Sequence, residues 1–233
     1  MTAFVVRPVH LLGNGRLHSF LAAGGTGGTT WQGAALTRWA AAPAGEPEGV
    51  LLYLRDLETG ALLATGLAPS HGAGAAAAPG GILFETVADG LCLRVEVTVA
   101  PDRDLELRRI RLTNGGRRAR QLDLTTAFEV VLNDPDGDRA HPAFSKLFVQ
   151  TEREPGGALL ARRRPRSPEE PALWLAQQLW CDGRPASSVG DRPRPLPWAV
   201  AARPPPRRCS TPARRSPAPP ATCWTPSSRS GTR

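Results

Sequence analysis

Lysine is almost missing from this sequence. Lys146 is the only one, and the remaining 28 of the 29 basic residues are arginine. Alanine, glycine, proline and arginine all have GC-rich codons, so the bias reads as genome composition, not as an arginine-specific function. No stretch approaches the roughly 20 apolar residues of a membrane span. The opening Met1-Thr-Ala-Phe-Val-Val-Arg-Pro8 has no charged start leading into a long apolar run, so no signal peptide is expected. The four cysteines, Cys92, Cys181, Cys209 and Cys223, have neither zinc-site nor disulfide-framework spacing. A cytoplasmic protein with reduced thiols is expected. His10, His18 and His71 show no metal spacing. Gly13-Asn-Gly15 has no helix after it and reads as a tight turn, not a phosphate cradle. No cofactor and no metal are therefore expected.

The net charge of +8 invites a nucleic-acid reading, but its distribution argues against one. Residues 182–233 hold ten arginines against two acids, Asp182 and Asp191. Residues 1–181 hold 19 basic and 19 acidic residues and are neutral. The last 52 residues also carry 12 of the 24 prolines and almost no periodic apolar pattern. Two segments are expected: a domain over 1–181 and a largely disordered basic tail over 182–233.

The body reads as all-β. Leu91 to Val99 alternates strictly, with Leu91, Leu93, Val95, Val97 and Val99 on one face, the pattern of a half-buried strand. Leu105 to Thr113 is the next strand, with alternation that slips at Arg108-Arg109, where a bulge is expected. Asn114-Gly-Gly116 reads as a hairpin turn into a strand from Gln121 to Leu132. These three strands predict an antiparallel meander. Val50–Leu54 and Ala61–Ala64 flank a turn, and Ile82–Val87 adds a strand. Gly72 to Gly81 reads as a flexible small-residue loop. Lys146–Glu152, Ala158–Arg163 and Leu173–Leu179 complete the set. Asp134, Asp136 and Asp138 read as a solvated loop, without the terminal glutamate a calcium loop needs. The pattern predicts a two-sheet antiparallel β-sandwich with no long amphipathic helix.

Three segments carry a family resemblance. The first is Leu11-Leu-Gly-Asn-Gly-Arg-Leu-His-Ser-Phe-Leu21, then Trp31 and Leu36-Thr-Arg-Trp39. The second is Leu54-Arg-Asp-Leu-Glu-Thr-Gly60. The third is Glu129-Val-Val-Leu132 leading to His141-Pro-Ala-Phe-Ser-Lys-Leu-Phe-Val-Gln-Thr-Glu152, with Arg162-Arg-Arg-Pro-Arg-Ser-Pro168 beyond. In this order they resemble the phosphorylase-like region of cyclic β-1,2-glucan synthases. That region belongs to glycoside hydrolase family 94, formerly glycosyltransferase family 36, which includes cellobiose phosphorylase. The resemblance covers about residues 8–180.

The resemblance implies an N-terminal β-supersandwich, here incomplete at its C-terminus. In the family it packs on a catalytic (α/α)₆ barrel that this chain does not contain, so no residue is assigned a catalytic role. The reaction implied for the family is inverting phosphorolysis or transfer at β-glucosidic bonds. The family's sugar-facing loop reads roughly Gly-Ser-Gly-Tyr-Ser-Arg-Trp, where this chain has Gly25, Thr26, Gly27, Gly28, Thr29, Thr30 and Trp31. Gly28 replaces the tyrosine and Thr30 the arginine. Trp31, Arg38 and Trp39 remain as candidate sugar contacts, since indoles pack on pyranose C–H faces and arginine offers a fork of donors. Core packing for the indoles and a carboxylate partner for Arg38 are the alternatives. His141 and Lys146 read as part of a fixed turn feeding a strand.

The tail also re-reads in a shifted frame. Taking each codon one nucleotide earlier, Trp198 to Ala202 becomes Leu-Gly-Arg-Gly-Arg. Ser210 to Ser228 becomes a string ending Val-Leu-Asp-Pro-Val-Phe, similar to the next stretch of the same family. A frame slip between about Asp182 and Pro197 is expected. The resulting expectation is a truncated, non-catalytic carbohydrate-binding domain whose ligand is a β-glucan or oligosaccharide. The alternatives are an enzyme component acting with a separately encoded barrel and a nucleic-acid-binding protein acting through its tail.

Overall fold

The computed structural model describes residues 9–39, 49–64, 74–170 and 172–186. Residues 187–233, and with them nearly all of the expected disordered tail, its shifted reading, Cys209 and Cys223, lie outside that set. The described chain is all-β and antiparallel, with two helices of 6 and 5 residues. Its strands fall into several antiparallel sheets, which fits the expected all-β sandwich.

The first sheet sets five strands side by side: β1 (Val9–Gly13), β2 (Leu17–Ala22), β3 (Gly27–Trp31), β4 (Ala34–Thr37) and, from far along the chain, β12 (Val130–Asn133). The second holds β7 (Gly74–Ala78), β8 (Gly81–Ala88), β9 (Leu91–Val99) and β10 (Glu106–Asn114), in chain order. In the third, β5 (Leu51–Asp56) lies between β6 (Leu62–Ala64) and β11 (Leu122–Ala127). In the fourth, β14 (Leu159–Arg163) lies between β13 (Val149–Arg153) and β15 (Trp174–Gln177). A small hairpin of β16 (Trp180–Cys181) and β17 (Arg184–Pro185) runs across the expected boundary after residue 181.

Local chemistry sets the hairpins. Asp89 and Gly90 both take positive φ, at 50° and 74°. That is the paired left-handed geometry of a two-residue turn whose twist matches the flanking strands. It joins β8 to β9 in register from Gly81↔Thr98 to Ala88↔Leu91. The alternating face of β9 is buried as its sequence predicts, with Leu91, Leu93, Val95 and Val97 inside. Leu93, Val95 and Val97 pack with Leu21, Leu52, Ile82 and Phe84 between the sheets. Burying each such side chain contributes about 1.5–3 kcal/mol. A second core brings Leu17 and Leu36 onto Leu132 and Ala161, closing the first sheet against the fourth.

Several expectations change. The small-residue segment contains a strand: β7 pairs with β8 from Gly74↔Glu85 to Ala78↔Gly81. Alanine accepts a strand when a neighbour completes its ladder. No bulge interrupts Arg108-Arg109, and the register runs unbroken from Glu106↔Val99 to Asn114↔Leu91. The extra residue lies in β12, where Val130↔Thr37 gives way to Asn133↔Ala35. The meander stops at β10, because β11 crosses to β5 and β12 crosses to β4. Asn114 supports that crossover, accepting from the Gly116 N–H (3.0 Å) and donating to the Arg118 carbonyl (2.7 Å). The aspartate segment is α1 (Pro135–Ala140), with Asp134 as its N-cap accepting from the Gly137 N–H at 2.8 Å. Proline at the first turn and a capping aspartate start this helix. Proline again opens α2 (Pro142–Lys146), so the strand after it begins at Val149 instead of Lys146.

Candidate functional site

The segments that carry the resemblance meet where β4 leaves the first sheet. The Arg38 N–H donates to the Glu129 carbonyl at 2.9 Å, extending the β4–β12 ladder by one rung. The Arg38 guanidinium then spans two carboxylates. NH2 lies 2.7 Å from Asp138 Oδ1, and Nε lies 3.3 Å from Glu129 Oε1. Lys146 Nζ approaches that same Glu129 oxygen at 2.5 Å. A β-strand, a strand edge and two helical turns are tied together by four charged groups. Asp138 is buried and the Arg38 side chain is only 14% exposed, so these pairs are screened far less than surface pairs.

Leu132 makes this geometry possible. It is fully buried and holds a φ of 52°, a left-handed conformation uncommon for a leucine. The bulge lets β12 run beside β4 and still deliver Asn133 toward α2. There Asn133 Nδ2 donates to Ser145 Oγ at 3.2 Å. Arg163, almost wholly buried, donates from NH1 to the Ser145 carbonyl at 3.2 Å. Burial and the neighbouring Arg166 charge pull its guanidinium below the usual arginine range, against the Glu170 and Asp138 charges. Bulges of this kind re-aim side chains next to functional sites.

The three candidate sugar contacts do not converge. Trp31 pairs with the buried Leu17 and so lies on the inner face of the first sheet. Its Nε1 donates to Asp104 Oδ2 at 2.7 Å, and Arg16 holds the other oxygen at 2.9 Å. The Asp104 carboxyl is held below its ordinary range, first by the indole and then by Arg16. Arg38 also points inward, to its carboxylates. Trp39 lies on the outer face, stacked on Phe20 with centroids 6.1 Å apart and planes at 14°. Phe20 pairs with Gly28. A Cβ on Gly28 would meet Trp39 Cβ at 2.6 Å. Trp39 therefore occupies the space above the position where the family's tyrosine is replaced, and glycine there is what lets the indole lie flat.

A further polar cluster is not evident from the sequence pattern. Glu106 and Arg108 point inward from β10, opposite Val99 and Val97. Glu106 accepts from Ser19 Oγ (2.6 Å), Thr29 Oγ1 (2.8 Å) and Arg108 Nε (2.6 Å). Burial alone would raise its pKa. The Arg108 charge and the hydrogen bonds from Ser19, Arg108 and Thr29 outweigh that and hold it below the usual value. The one signal for it is Ser19, a hydroxyl at an inward position of Leu17-His-Ser-Phe-Leu21.

Among the described residues no three histidine, cysteine or acidic side chains come together as a metal site. No helix of the described residues is long and apolar enough to cross a membrane. Residues 4–194 match the glycosyl hydrolase 94 supersandwich domain. Over 176 residues the chain is 34% identical to the cyclic beta-(1,2)-glucan synthase NdvB of Rhizobium meliloti (strain 1021). That match covers 73% of this chain and 6% of the relative. With the antiparallel sandwich in place and the family matched over most of its length, this chain belongs to the glycosyl hydrolase 94 supersandwich-domain family.

Proposed function

We propose that the chain is a non-catalytic, saccharide-facing sandwich that works beside a catalytic (α/α)₆ barrel in β-glucan transfer or phosphorolysis. Its ligand is a β-glucan or an oligosaccharide of one, and its setting is cytoplasmic. The observation that carries this reading is the knot of Arg38, Glu129, Asp138 and Lys146. It joins the segments on which the family resemblance rests and fixes the strand end that presents Trp39. Trp39 is the contact residue of the three candidates. An indole backed by Phe20 is a flat apolar platform for a pyranose C–H face. Arg38 is a positioning residue, and Trp31 anchors the β3–β4 hairpin to Asp104. Val9 and Leu11 stand exposed on the edge strand of the same sheet, Leu11 opposite Phe20, and supply an apolar surface for the barrel.

The test is calorimetric titration of the full chain with a linear β-1,2-linked glucopentaose. Binding that weakens about tenfold in Trp39→Ala, with the fold intact, supports the reading. Arg38→Met weakens both binding and thermal stability, whereas Trp31→Phe affects stability alone. Unchanged titration in Trp39→Ala removes the saccharide contact. Turnover on mixing with a purified barrel would move the assignment to an enzyme component.

A further inference from the structure

The outward face of the fourth sheet carries an arrangement that the barrel-side reading does not use. Gln150, Arg162 and Trp174 occupy directly paired positions on β13, β14 and β15. Side chains in such a row share one face of the sheet. Glu152 and Leu160 form the next row on that face. The opposite face holds Ala161, Leu173 and Leu175 in the second core, so this sheet has one side committed to packing and one to solvent. The outward residues line a cleft of about 230 Å³. That is just below the roughly 300–1,000 Å³ of sites that hold drug-sized ligands.

The chemistry of the row is specific. Trp174 is 53% exposed, an uncommon state for an indole that could be buried. The Arg162 guanidinium lies 5.5 Å from its ring centroid. Arg162 Nε is held by Gln150 Oε1 at 2.9 Å. That contact holds the fork at one edge, and Arg162 lines the cleft. Glu152 supplies an acceptor pair one row away. The arginine and the glutamate balance in charge. An anionic ligand would meet the carboxylate, and a cation would meet the guanidinium. An uncharged polyol satisfies both, with one hydroxyl pair accepting from the fork and another donating to the carboxylate. An apolar platform beside paired donors and acceptors suits a pyranose ring.

We infer that the outward face of β13–β14–β15 is a second saccharide surface, binding one residue of a neutral glucan chain through Trp174, Arg162 and Glu152. It lies on a different sheet from Trp39 and does not depend on it. A surface of this kind holds a long chain to the domain while its end is processed elsewhere.

The experiment is saturation-transfer NMR and calorimetry of the full chain with the same β-1,2-linked glucopentaose, in three backgrounds. Trp39→Ala removes the first contact and leaves a weak, saturable event. Adding Trp174→Ala to it abolishes that event, while adding Trp174→Phe retains it within about threefold, because the ring platform survives. Trp174 is exposed, so either substitution at 174 leaves the melting transition of the Trp39→Ala background unchanged. No residual binding in Trp39→Ala, or residual binding indifferent to Trp174→Ala, overturns the proposal. Tighter binding of an anionic saccharide than of the neutral pentaose also overturns it. Because the two tryptophans are varied separately, failure at one surface is visible without failure at the other.

Discussion

Two ion-pair clusters sit on the inner face of the first sheet, and they differ in how they are closed. Glu106 and Arg108 lie between two sheets, where β2, β3 and β10 supply the partners of the carboxylate from regular strands and the β2–β3 turn offers the Gly25 carbonyl to Arg108. Arg38, Glu129, Asp138 and Lys146 are closed by an insertion of two short helices, and the Lys146 side chain remains 38% exposed. The chemistry is the same in both. The first cluster is fixed by the sandwich itself, so loss of one member strands a charge in the core. The second hangs on an insertion that can shift, so loss of one member is shared with solvent. Depth of closure, not the count of charges, separates a cluster that holds a fold from one that can position a ligand-facing strand end.

The sharpest way to break this comparison is Glu106→Ala. It leaves Arg108 buried without its carboxylate and orphans the Ser19 and Thr29 hydroxyls, a loss of about 3–5 kcal/mol. Chemical denaturation at neutral pH measures it. Glu106→Leu with Arg108→Met restores most of the loss, because a buried pair exchanged for apolar volume is close to neutral. The same carboxylate sets an acid limit. Its folded pKa lies below the ordinary glutamate value of 4.5, so in acid the unfolded chain takes up the proton first. The stabilisation is fully present above about pH 4.5 and drains away as pH falls through the folded value. The double variant loses that slope. A double variant with the wild-type acid slope would place the titrating group elsewhere.

Asp138→Ala probes the second cluster. Arg38 keeps Glu129 as a partner and the α1–α2 segment can relax. The expected loss is smaller, about 1–3 kcal/mol. Its distinguishing sign is amide exchange: residues 135–146 lose protection while β8 and β9 keep theirs. Equal loss of protection in both regions would mean that the insertion is part of the sandwich core, and the comparison would collapse.

These two clusters also mark what the sequence can and cannot reveal. β9 is legible because its alternation is uninterrupted and apolar residues face inward. β10 misleads for a physical reason. Its inward positions near the start are Glu106 and Arg108, while Leu107 between them and Leu105 just before the strand are exposed, the reverse of the usual code. The apparent slip at Arg108-Arg109 is a polar pair facing the core, not a bulge. Only the hydroxyls of Ser19 and Thr29, about 80 residues away in sequence, make that orientation tolerable. The second cluster is half legible. Arg38, Glu129 and Lys146 stand in the segments that carry the family resemblance, and a carboxylate partner is one of the two roles open to Arg38 from sequence. Asp138 is hidden because three spaced aspartates look like a solvated loop unless Asp134-Pro135 is read as a helix start. That Trp31 and Trp39 face opposite sides is not legible at all. The reversal depends on where β4 leaves its ladder.

The smallest expected effect sharpens the comparison from the exposed side. Asp104 accepts from Trp31 Nε1 and Arg16 Nε at the open end of the sandwich. Its carboxylate is solvated, so Asp104→Asn removes a charge whose attraction water already screens. One amide oxygen still serves the indole. The melting temperature at neutral pH should drop less than in either other variant. The folded Asp104 carboxyl lies below its ordinary value of 3.8, through the indole hydrogen bond first and Arg16 second. Its contribution is present above that value and disappears as pH falls through the folded one. The wild-type advantage over Asp104→Asn therefore shrinks toward zero in acid. A gap that stays constant with pH would show that the amide distorts the β3–β4 hairpin. Trp31 would then be held by packing and not by its hydrogen bond.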